Sequence, residues 1–285
     1  MAPNRIIAYC ATRKSAPATF QHGNSKGFNY INMPNRSIRR AIILAAGMNL
    51  RLRKIISAPK TLLRIGEYTL LERILHSCTL VKISQIVIVV GYKSEEIERY
   101  LKESDTYSNF GIRTIHNPEY ENKNNILSFW LARKEMNEPF VLFNSDVLFH
   151  ENIISLLING NTQSALMIDD RKKLGLEEMK VVLNSTGLII DISKSIDPLR
   201  ANGEYIGMAK FADLEITKKV LARTKLLLDT GRTDVFYEEV LRLISAEEPC
   251  INGLSTKGLP WIEIDTPQDY EKAKRMLNTE HGSLL

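Results

Sequence analysis

Two aspartates follow short apolar segments that are typical of buried strands. Asp146 ends the segment Phe140–Asp146, and Asp265 ends the segment Trp261–Asp265. A carboxylate at the C-terminal end of a strand lies at the edge where α/β sheets bind ligands, and it can hold Mg²⁺ against phosphate oxygens. Each residue alone could equally be a turn residue or the cap of the following helix. Two strand-end acids from distant parts of the chain favour a shared metal site.

A second candidate site follows the apolar segment Ala41–Ala46, where Gly47 and Arg51 are followed by Lys60. Small residues at the end of a strand let the backbone approach a ligand, and free N–H groups of a loop can bind phosphate oxygens. Arg51 and Lys60 would add positive charge for a triphosphate. On spacing alone, the small residues could instead serve only close packing, so both interpretations stay open at this point.

The segments that must position these residues alternate between strand and helix patterns. Buried strands are predicted at Ala41–Ala46, Gln85–Gly91, Ile112–His116 and Phe140–Asn144. Amphipathic or capped helices are predicted at Thr69–Leu80, from Ser94 as N-cap, at Asn124–Met136 and at Asn152–Ile158. Such alternation predicts an α/β fold, a Rossmann-like and mostly parallel sheet with helices on both faces. Right-handed crossovers would bring the strand C-termini to one edge.

The middle of the chain changes character between about residues 175 and 212. Three extended segments joined by turn-rich sequence predict an antiparallel insertion; they are Glu178–Leu183, Leu188–Ser193 and Tyr205–Phe211. Beyond it, helices are predicted at about Leu214–Leu228 and Asp234–Ile244, a strand at Trp261–Ile264, and a last helix capped by Thr266. We therefore expect one domain over residues 38–280, with the insertion at 175–212.

The net charge of +5 belongs to the N-terminal segment. The first 40 residues hold seven Lys or Arg and no acid, which leaves 31 basic and 33 acidic residues in the body of the chain. A body of net charge −2 gives no support for nucleic-acid binding. Residues 1–37 resemble a transit peptide in composition, but a disordered extension before a start near Met33 is the favoured interpretation.

Cysteine use and hydropathy indicate a cytoplasmic protein. The three cysteines are scattered and none lies at metal-ligand spacing from a second Cys or a His, so we expect reduced thiols. No apolar run approaches the ~18 residues that a membrane-spanning helix needs. We therefore expect no membrane partner, and the sequence leaves a homodimer open.

The loop after the first predicted strand resembles the signature loop of nucleotidyltransferases that make activated sugars and activated alcohols. In that family a pattern L-A-A-G-x-G-[ST]-R-[LM] is followed by P-K. The chain matches it at Leu44, Ala45, Ala46, Gly47, Arg51, Leu52, Pro59 and Lys60. It departs at Asn49, in place of the second glycine, and at Leu50, in place of Ser or Thr. Asn tolerates left-handed backbone better than most residues, so the loop could still form.

Further segments resemble the phosphocholine cytidylyltransferase branch, which also includes enzymes acting on aminoalkylphosphonates and inositol phosphate. They are Val89–Tyr92, Asn124–Ser128, Ile192–Lys194 and Gly203–Gly207. The resemblance runs from about residue 38 to 277. It implies a fold of the nucleotide-diphospho-sugar transferase type, CTP and a small phosphate or phosphonate acceptor as partners, and Mg²⁺ as cofactor.

The resemblance also implies roles for individual residues. Asp146 and Asp265 would hold the metal, Arg51 and Lys60 the triphosphate, and Lys194 the acceptor phosphate, although Lys194 could equally be an ordinary surface lysine. Nucleotide contacts are expected from Leu44, Ala45, Ala46, Gly47, Gly91, Asn125 and Ser128. Acceptor contacts are expected from Lys194, Glu204, Tyr205, Trp130 and Asp169, with Trp261 as a further aromatic candidate. Several of these aromatics could instead belong to the core.

The implied reaction is an in-line attack by an acceptor phosphate or phosphonate oxygen on the α-phosphorus, with loss of pyrophosphate. That oxygen is ionised near neutral pH, so positioning and charge neutralisation suffice without a general base. Two alternatives stay open, a sugar-1-phosphate nucleotidyltransferase and a nucleotide-binding regulatory module without catalysis. A dinucleotide-binding reductase is excluded because Gly47 is not followed by the further glycines of that fingerprint.

Overall fold

A computed structural model describes residues 38–53, 56–103 and 110–278. The predicted N-terminal tail lies outside the described residues. Thirteen strands and seven α-helices are formed within them: β1 (Arg40–Ala45), β2 (Arg64–Ile65), β3 (Tyr68–Thr69), α1 (Leu70–Leu80), β4 (Gln85–Val90), α2 (Ser94–Glu103), β5 (Gly111–His116), α3 (Asn125–Leu131), β6 (Phe140–Asn144), β7 (Val147–Phe149), α4 (Asn152–Asn159), β8 (Ser164–Asp169), β9 (Lys180–Leu183), β10 (Ile189–Ser193), β11 (Gly203–Phe211), α5 (Leu214–Asp229), α6 (Glu238–Glu247), β12 (Asn252–Ser255), β13 (Trp261–Glu263) and α7 (Pro267–Met276).

The main sheet has nine strands and runs β10-β9-β11-β6-β1-β4-β5, with β8 beside β11 and β12 beside β8. Strands β6, β1, β4 and β5 are parallel and in register, so Leu44 lies opposite Asn144 and Ala45 opposite Val90. Their C-terminal ends therefore meet at one edge. This arrangement confirms the predicted α/β fold, and the ligand-binding edge of such sheets is the one that carries Gly47 and Asp146.

Both faces of the sheet are buried, as the near-continuous apolar sequence of β1 predicts. Alternate residues of β1 point to opposite sides. Ile42 and Leu44 belong to one core cluster, which includes apolar residues of α3, α5 and α6. Ala41 and Ile43 belong to the other, which includes residues of α1, α2 and α4. The helices thus fix β1 from both sides and leave only its C-terminal loop free to meet a ligand.

A third, smaller core supports the candidate site from behind. It includes Leu52 next to Arg51, Leu148 on β7, and Ile262 and Ile264 on either side of Glu263, together with Ala273 of α7. These residues anchor the backbone segments that carry Arg51, Glu263 and Asp265. The site is therefore built on packed apolar residues rather than on loops alone.

Several predicted elements differ from the observed ones. Ser94 is the first residue of α2 rather than its N-cap. The predicted helix Asn124–Met136 is interrupted, because α3 ends at Leu131 and a 3₁₀ turn follows. The helix expected from Asp234 begins only at Glu238. The strands of segment 175–212 pair antiparallel, as predicted, but they join the main sheet, where β11 pairs directly with β6. Among the described residues, no helix is both long enough and apolar enough to cross a membrane.

Helix α1 begins at a complete capping box, and this feature gives a stability prediction. The Thr69 side chain accepts a hydrogen bond from the Glu72 N–H at 3.1 Å, and Glu72 accepts one from the Thr69 N–H. We expect Thr69→Ala to lower the free energy of unfolding by about 1 kcal/mol, the usual cost of losing an N-cap. Urea unfolding measures this. Thr79→Ala, near the exposed C-terminal end of α1, is the matched control, and an equal loss there would contradict the role of the cap.

Candidate active site

A cavity of about 630 Å³ opens at the C-terminal edge of the parallel strands. It collects most of the residues singled out from the sequence: Leu44, Ala45, Ala46, Gly47, Arg51, Lys60, Asn125, Ser128, Asp146, Lys194, Tyr205 and Asp265 line it. These residues come from segments more than 200 positions apart in the chain. The cavity has a size suited to a small-molecule ligand.

The loop after β1 forms one wall of the cavity. Asn49 has φ of +56°, so it adopts the left-handed conformation expected of it in place of a glycine. Its Nδ2 donates to the Ala58 carbonyl at 3.2 Å, which ties the loop to the segment leading to Lys60. Leu50, at the position of the family hydroxyl, is 59% exposed. The loop therefore keeps a defined shape without the second glycine.

Gly47 leaves space that a side chain would fill. A Cβ at this position would meet no protein atom within 4 Å, and Gly47 is not among the residues with positive φ. Gly47→Ala should therefore leave the melting temperature unchanged, while the new methyl group projects into the space where a triphosphate would approach the backbone. We expect KM for the nucleoside triphosphate to rise about 10- to 100-fold, the effect of one misplaced methyl group in a binding site.

Steady-state kinetics with varied triphosphate would measure that change. Gly111→Ala on β5 is the control, because a Cβ there makes only an ordinary contact, 3.8 Å from the Ser84 carbonyl oxygen. An unchanged KM in Gly47→Ala would mean that the loop does not bind the triphosphate.

The carboxylates meet because two short strands pair beside the main sheet. Strand β7 follows Asp146, strand β13 precedes Asp265, and the two strands are antiparallel. The Ile264 N–H donates to the Asp146 carbonyl at 2.9 Å, which fixes the two aspartates side by side. Carboxylate oxygens of Asp146, Asp265 and Glu263 lie within 4.8 Å of one another. The predicted pair of acids is thus joined by a third.

Two basic side chains neutralise this cluster. Lys60 Nζ donates to Asp146 Oδ2 at 3.0 Å and to Asp265 Oδ1, and an Arg51 guanidinium nitrogen donates to Asp265 Oδ2 at 2.5 Å. Burial alone would lower the pKa of Lys60, but Asp146 and Asp265 together raise it above its usual range. Burial likewise would raise the pKa of Asp265, but Lys60 and Arg51 lower it.

Arg51 differs from Lys60 in its exposure. Its side chain is 61% exposed, against 17% for Lys60. Exposed ion pairs contribute only about 0–1 kcal/mol, so Arg51 can leave Asp265 for a phosphate oxygen at little cost. Lys60 is fixed by two carboxylates and keeps its charge in place. The two residues therefore offer one adaptable and one fixed positive charge.

The carboxylate cluster fits a hard divalent cation. Mg²⁺ binds through one or two carboxylates together with phosphate oxygens and water. Asp146 Oδ1 is buried and has no hydrogen-bond partner among the described residues, so it is available as a metal ligand. Burial raises the pKa of Glu263 to about 8, and the charges of Asp146 and Asp265 add to that shift. A cation held between them would relieve this repulsion.

The cavity wall also carries polar groups that hydrogen bonds within the protein hold in place. Asn117 Nδ2 donates to Ser128 Oγ at 3.0 Å. Asn125 Oδ1 accepts from the Tyr237 N–H at 2.8 Å and so holds the start of α6 against α3. Asn117, Ser128 and Asn125 all line the cavity. This wall offers rigid hydrogen-bonding groups of the kind that a base or ribose needs.

A buried lysine shapes the loop before β9. Lys180 is fully buried, and its ammonium donates to the carbonyls of Gly175, Leu176 and Glu178 at 3.2, 3.0 and 3.1 Å. Three backbone acceptors can satisfy a buried ammonium, which would otherwise be costly. The loop that Lys180 holds in this way places Glu177 and Met179 at the cavity.

Lys194, the residue after β10, lines the cavity. Its ammonium lies 5.7 Å from the centre of the Phe236 ring. Burial is the largest influence on the pKa of Asp265, of Glu263 and of Glu238, and the charge of Lys194 acts on all three in the lowering direction. Lys194 thus adds a positive charge to the part of the cavity that holds Asp265, Glu263 and Glu238.

Five residues expected at the site are not among those lining the cavity: Gly91, Trp130, Asp169, Glu204 and Trp261. At Gly91 a Cβ would lie 2.9 Å from the Ala46 carbonyl oxygen, so this glycine permits close packing under the loop. Trp130 stacks with Arg133, whose guanidinium carbon lies 4.5 Å from the ring centre. Asp169 accepts from Trp261 Nε1 at 2.8 Å, and Glu204 pairs with Lys172 at 2.7 Å. Asp169 is thus engaged in hydrogen bonds and Glu204 in an ion pair with Lys172.

Five acids that line the cavity were not identified from the sequence: Glu121, Glu177, Asp234, Glu238 and Glu263. Glu263 lies two residues before Asp265, and side chains two apart on a strand point to the same face, which was a usable signal. Glu238 lines the cavity from the first residue of α6. Its place depends on the contact between α6 and Asn125, for which the sequence carries no signal.

Comparison with known proteins matches residues 41–179 to the MobA-like NTP transferase domain. A choline-phosphate cytidylyltransferase of Streptococcus pneumoniae is 26% identical over 247 residues, 85% of this chain and the whole length of the relative. A bifunctional IPC transferase and DIPP synthase of Aquifex aeolicus is 28% identical over 84% of this chain. A CMP-5'-(3-aminopropyl)phosphonate synthase of Streptomyces rubellomurinus is 25% identical over 85% of it. The chain spans only 52% and 41% of the length of the last two.

Solved structures show the same fold. An inositol-1-phosphate CTP transferase from T. maritima superposes with a TM-score of 0.69 at 24% identity, over 84% of this chain and 96% of the other. A CTP:phosphocholine cytidylyltransferase from Streptococcus pneumoniae superposes with a TM-score of 0.70 at 24% identity, over 84% and 100%. The family match and the shared fold agree with the loop after β1 and the acidic cluster beside it. Residues 41–179 therefore carry a MobA-like NTP transferase domain, which confirms the predicted resemblance to the nucleotidyltransferases.

Proposed function

We propose that this chain is a Mg²⁺-dependent cytidylyltransferase that transfers CMP from CTP to a small phosphorylated or phosphonate alcohol or amine and releases pyrophosphate. One observation carries the proposal: Arg51, Lys60, Asp146 and Asp265 meet in a single cavity beside the open backbone of Gly47. This is the charge arrangement that phosphoryl transfer requires. The similarity to choline-phosphate and aminopropylphosphonate cytidylyltransferases supports the choice of nucleotide and acceptor class.

The reaction follows from where the charges lie. An oxygen of the acceptor phosphate attacks the α-phosphorus of CTP, and the bond from that phosphorus to the bridging oxygen of pyrophosphate breaks. Arg51 and Lys60 hold the triphosphate and stabilise the charge that develops on the leaving pyrophosphate. Lys194 holds the acceptor phosphate in line. Asp146, Asp265 and Glu263 would hold Mg²⁺, which supplies positive charge for the phosphate oxygens.

We extend the proposal to the domain organisation. Residues 38–280 act as one nucleotidyltransferase domain, and residues 175–212 supply acceptor contacts. Glu177, Met179, Lys194 and Tyr205 of this segment line the cavity, which supports the assignment. The nucleotide is held between the loop after β1 and the start of α3, where Asn125 and Ser128 lie.

Pyrophosphate release is the test of this proposal. Each nucleoside triphosphate is offered with Mg²⁺ against phosphocholine, 2-aminoethylphosphonate, inositol 1-phosphate and glucose 1-phosphate. We expect release that is selective for CTP and requires an acceptor. Preference for UTP, dTTP or GTP with glucose 1-phosphate would identify a sugar-1-phosphate nucleotidyltransferase instead. CTP binding without release on any acceptor would favour a regulatory module.

A further inference from the structure

Asn144, the last residue of β6, lines the cavity at the point where β6 stands between β1 and β11. On one side it pairs with Leu44 at the end of β1. On the other side it comes next to Gly207 of β11, because the preceding residue of β6 pairs with Met208. The loop after β1 is proposed for the nucleotide, and β11 belongs to the segment proposed for the acceptor. Asn144 is therefore placed where the two substrates would meet.

Gly207 makes room for the Asn144 side chain. The pairing of β11 with β8 shifts between Tyr205 and Ala209, and Gly207, inside the shifted stretch, has φ of +78°. A Cβ on Gly207 would lie 2.8 Å from Asn144 Nδ2 and 2.9 Å from Asn144 Cβ, which is too close for either contact. A bulge beside an active site commonly re-aims a side chain. Here the irregular stretch lets the Asn144 amide lie over the backbone of β11.

Two buried hydroxyl groups fix the orientation of the Asn144 amide. The Tyr237 hydroxyl donates to Asn144 Oδ1 at 3.3 Å and lies 2.7 Å from the Tyr205 hydroxyl. Because the one hydrogen of the Tyr237 hydroxyl is used by Asn144, Tyr205 donates to Tyr237. Burial raises the pKa of both tyrosines well above the usual range, so both hydroxyls keep their hydrogens. The Tyr237 ring stacks on Phe129, with 5.4 Å between the ring centres, and this contact holds the hydroxyl in place.

The nitrogen of the Asn144 amide is a donor that faces the cavity. Among the described residues Nδ2 donates to no protein atom, and it is not one of the buried side-chain atoms without a partner, so it is accessible to solvent. Since Asn144 lines the cavity, a ligand in the cavity can reach it. An amide N–H only donates, and its strongest hydrogen bonds are those to anionic oxygens. Its chemistry therefore suits a phosphate or phosphonate oxygen.

We propose that Asn144 Nδ2 donates a hydrogen bond to a phosphate or phosphonate oxygen of the acceptor, and that Tyr237 and Gly207 position the amide for this bond. The inference rests on the proposed function and adds a neutral donor to its charged groups. The acceptor is chosen over the triphosphate because the amide lies over β11, in the segment that supplies Lys194 and Tyr205 to the cavity. A directed bond fixes the rotation of an anion that a lysine holds only as a point charge, so that another oxygen can face the α-phosphorus in line.

Kinetics with each substrate varied in turn test the proposal. In Asn144→Ala we expect kcat/KM for the acceptor to fall about 10- to 100-fold, the effect of one lost hydrogen bond to a charged group. KM for CTP should stay within about threefold of wild type, because the lost bond is not made to the nucleotide. Asn144→Asp keeps an oxygen to accept from Tyr237 and loses only the donor, so kcat/KM should fall at least as far. Asn159→Ala, at the exposed end of α4 and not among the residues lining the cavity, is the matched control.

Tyr237→Phe distinguishes positioning of the amide from general structural damage. The change keeps the ring that stacks on Phe129 and removes the hydroxyl that orients Asn144. In the wild-type background kcat/KM for the acceptor should fall about 3- to 10-fold. In the Asn144→Ala background it should change by about twofold or less, because Tyr237 acts through Asn144. Structural damage would lower it equally in both backgrounds. Tyr270→Phe, whose hydroxyl donates to the Arg64 carbonyl away from the cavity lining, is the control.

Three results would overturn the inference. The first is a kcat/KM for the acceptor within about threefold of wild type in both Asn144→Ala and Asn144→Asp. The second is a loss confined to KM for CTP, which would assign the amide to the nucleotide. The third is an equal effect of Tyr237→Phe in both backgrounds, which would reject its positioning role.

A failure of the proposed function has a different outcome. If no acceptor is turned over with CTP, that function has failed, and calorimetric titration of phosphocholine and of inorganic phosphate into wild type and Asn144→Ala still decides the question. Binding that weakens about tenfold or more in the variant would support the donor. Equal binding to both proteins, or no binding to wild type, would reject it.

Discussion

Replacing Asp146 with Asn should lower pyrophosphate release by about 10³-fold or more, because a metal at a phosphoryl-transfer site supplies several kcal/mol of transition-state stabilisation. Asn keeps the size of the side chain but lacks the charge that both Lys60 and a cation require. Asp146 Oδ1 has no hydrogen-bond partner among the described residues. Asp146 Oδ2 accepts from Lys60 Nζ at 3.0 Å, a bond that the amide oxygen of Asn can keep, and Lys60 retains its pair with Asp265. The fold should therefore survive, and CTP binding without Mg²⁺ should change by only a few-fold.

Two measurements check this expectation. Steady-state pyrophosphate release gives the rate, and the Mg²⁺-dependent rise in melting temperature reports metal binding through mass action. Asp170→Asn is the control, since Asp170 is exposed, is not among the residues lining the cavity, and accepts a hydrogen bond from Ser255 Oγ. An Asp146→Asn enzyme that retained a third of the wild-type rate would show that Asp146 does not hold a catalytic metal.

Replacing Lys60 with Met should give the second-largest effect, and it should act on both activity and stability. Lys60 joins Asp146 to Asp265, and its side chain is only 17% exposed. Breaking a buried ion pair by removing one partner typically costs about 3–5 kcal/mol, because the other charge stays unpaired. The metal-free variant should therefore unfold at a lower urea concentration than wild type. Pyrophosphate release should fall by about 10²–10³-fold with the loss of a fixed charge at the leaving group.

Mg²⁺ distinguishes the two effects of Lys60→Met. Because the variant leaves the carboxylates without their lysine, added Mg²⁺ should raise its melting temperature more than that of wild type, while the rate stays low. Lys134→Met, on the exposed turn after α3, is the matched control. Equal stabilisation of variant and wild type by Mg²⁺ would mean that Lys60 and the metal do not share the carboxylates.

Much of the fold followed from the sequence because local patterns were strong. The apolar segments of β1, β4, β5 and β6 were predicted within one or two residues, since buried parallel strands have near-continuous apolar sequence. Strand β8 was missed although residues 164–169 are largely apolar, and β7 and β12 are too short to show a period. Pairing of β7 with β13, which brings Asp146 to Asp265, is a tertiary contact that spacing along the chain could not supply.

The acceptor side was predicted less well, for a physical reason. Trp130, Asp169 and Glu204 were chosen by residue type, and the structure engages each with a neighbour: Arg133, Trp261 and Lys172. A carboxylate or an aromatic ring can serve an ion pair, a hydrogen bond or a ligand equally well, and only its surroundings decide. Glu238 is the opposite case, a residue of the cavity that was not predicted. Its sequence context is that of an ordinary helix start, and its unpaired Oε2 atom is visible only in the folded chain.

The bond that the proposed reaction makes, between the α-phosphorus of CTP and an oxygen of the acceptor, can be observed directly by ³¹P NMR of one reaction mixture. CTP, Mg²⁺ and phosphocholine or 2-aminoethylphosphonate are incubated with the protein and followed over time. The proposed reaction predicts free pyrophosphate together with a new phosphoanhydride that joins the α-phosphorus to the acceptor phosphorus, in equal amounts. Pyrophosphate with CMP and an unchanged acceptor, or signals of CTP and acceptors that never change, would contradict it.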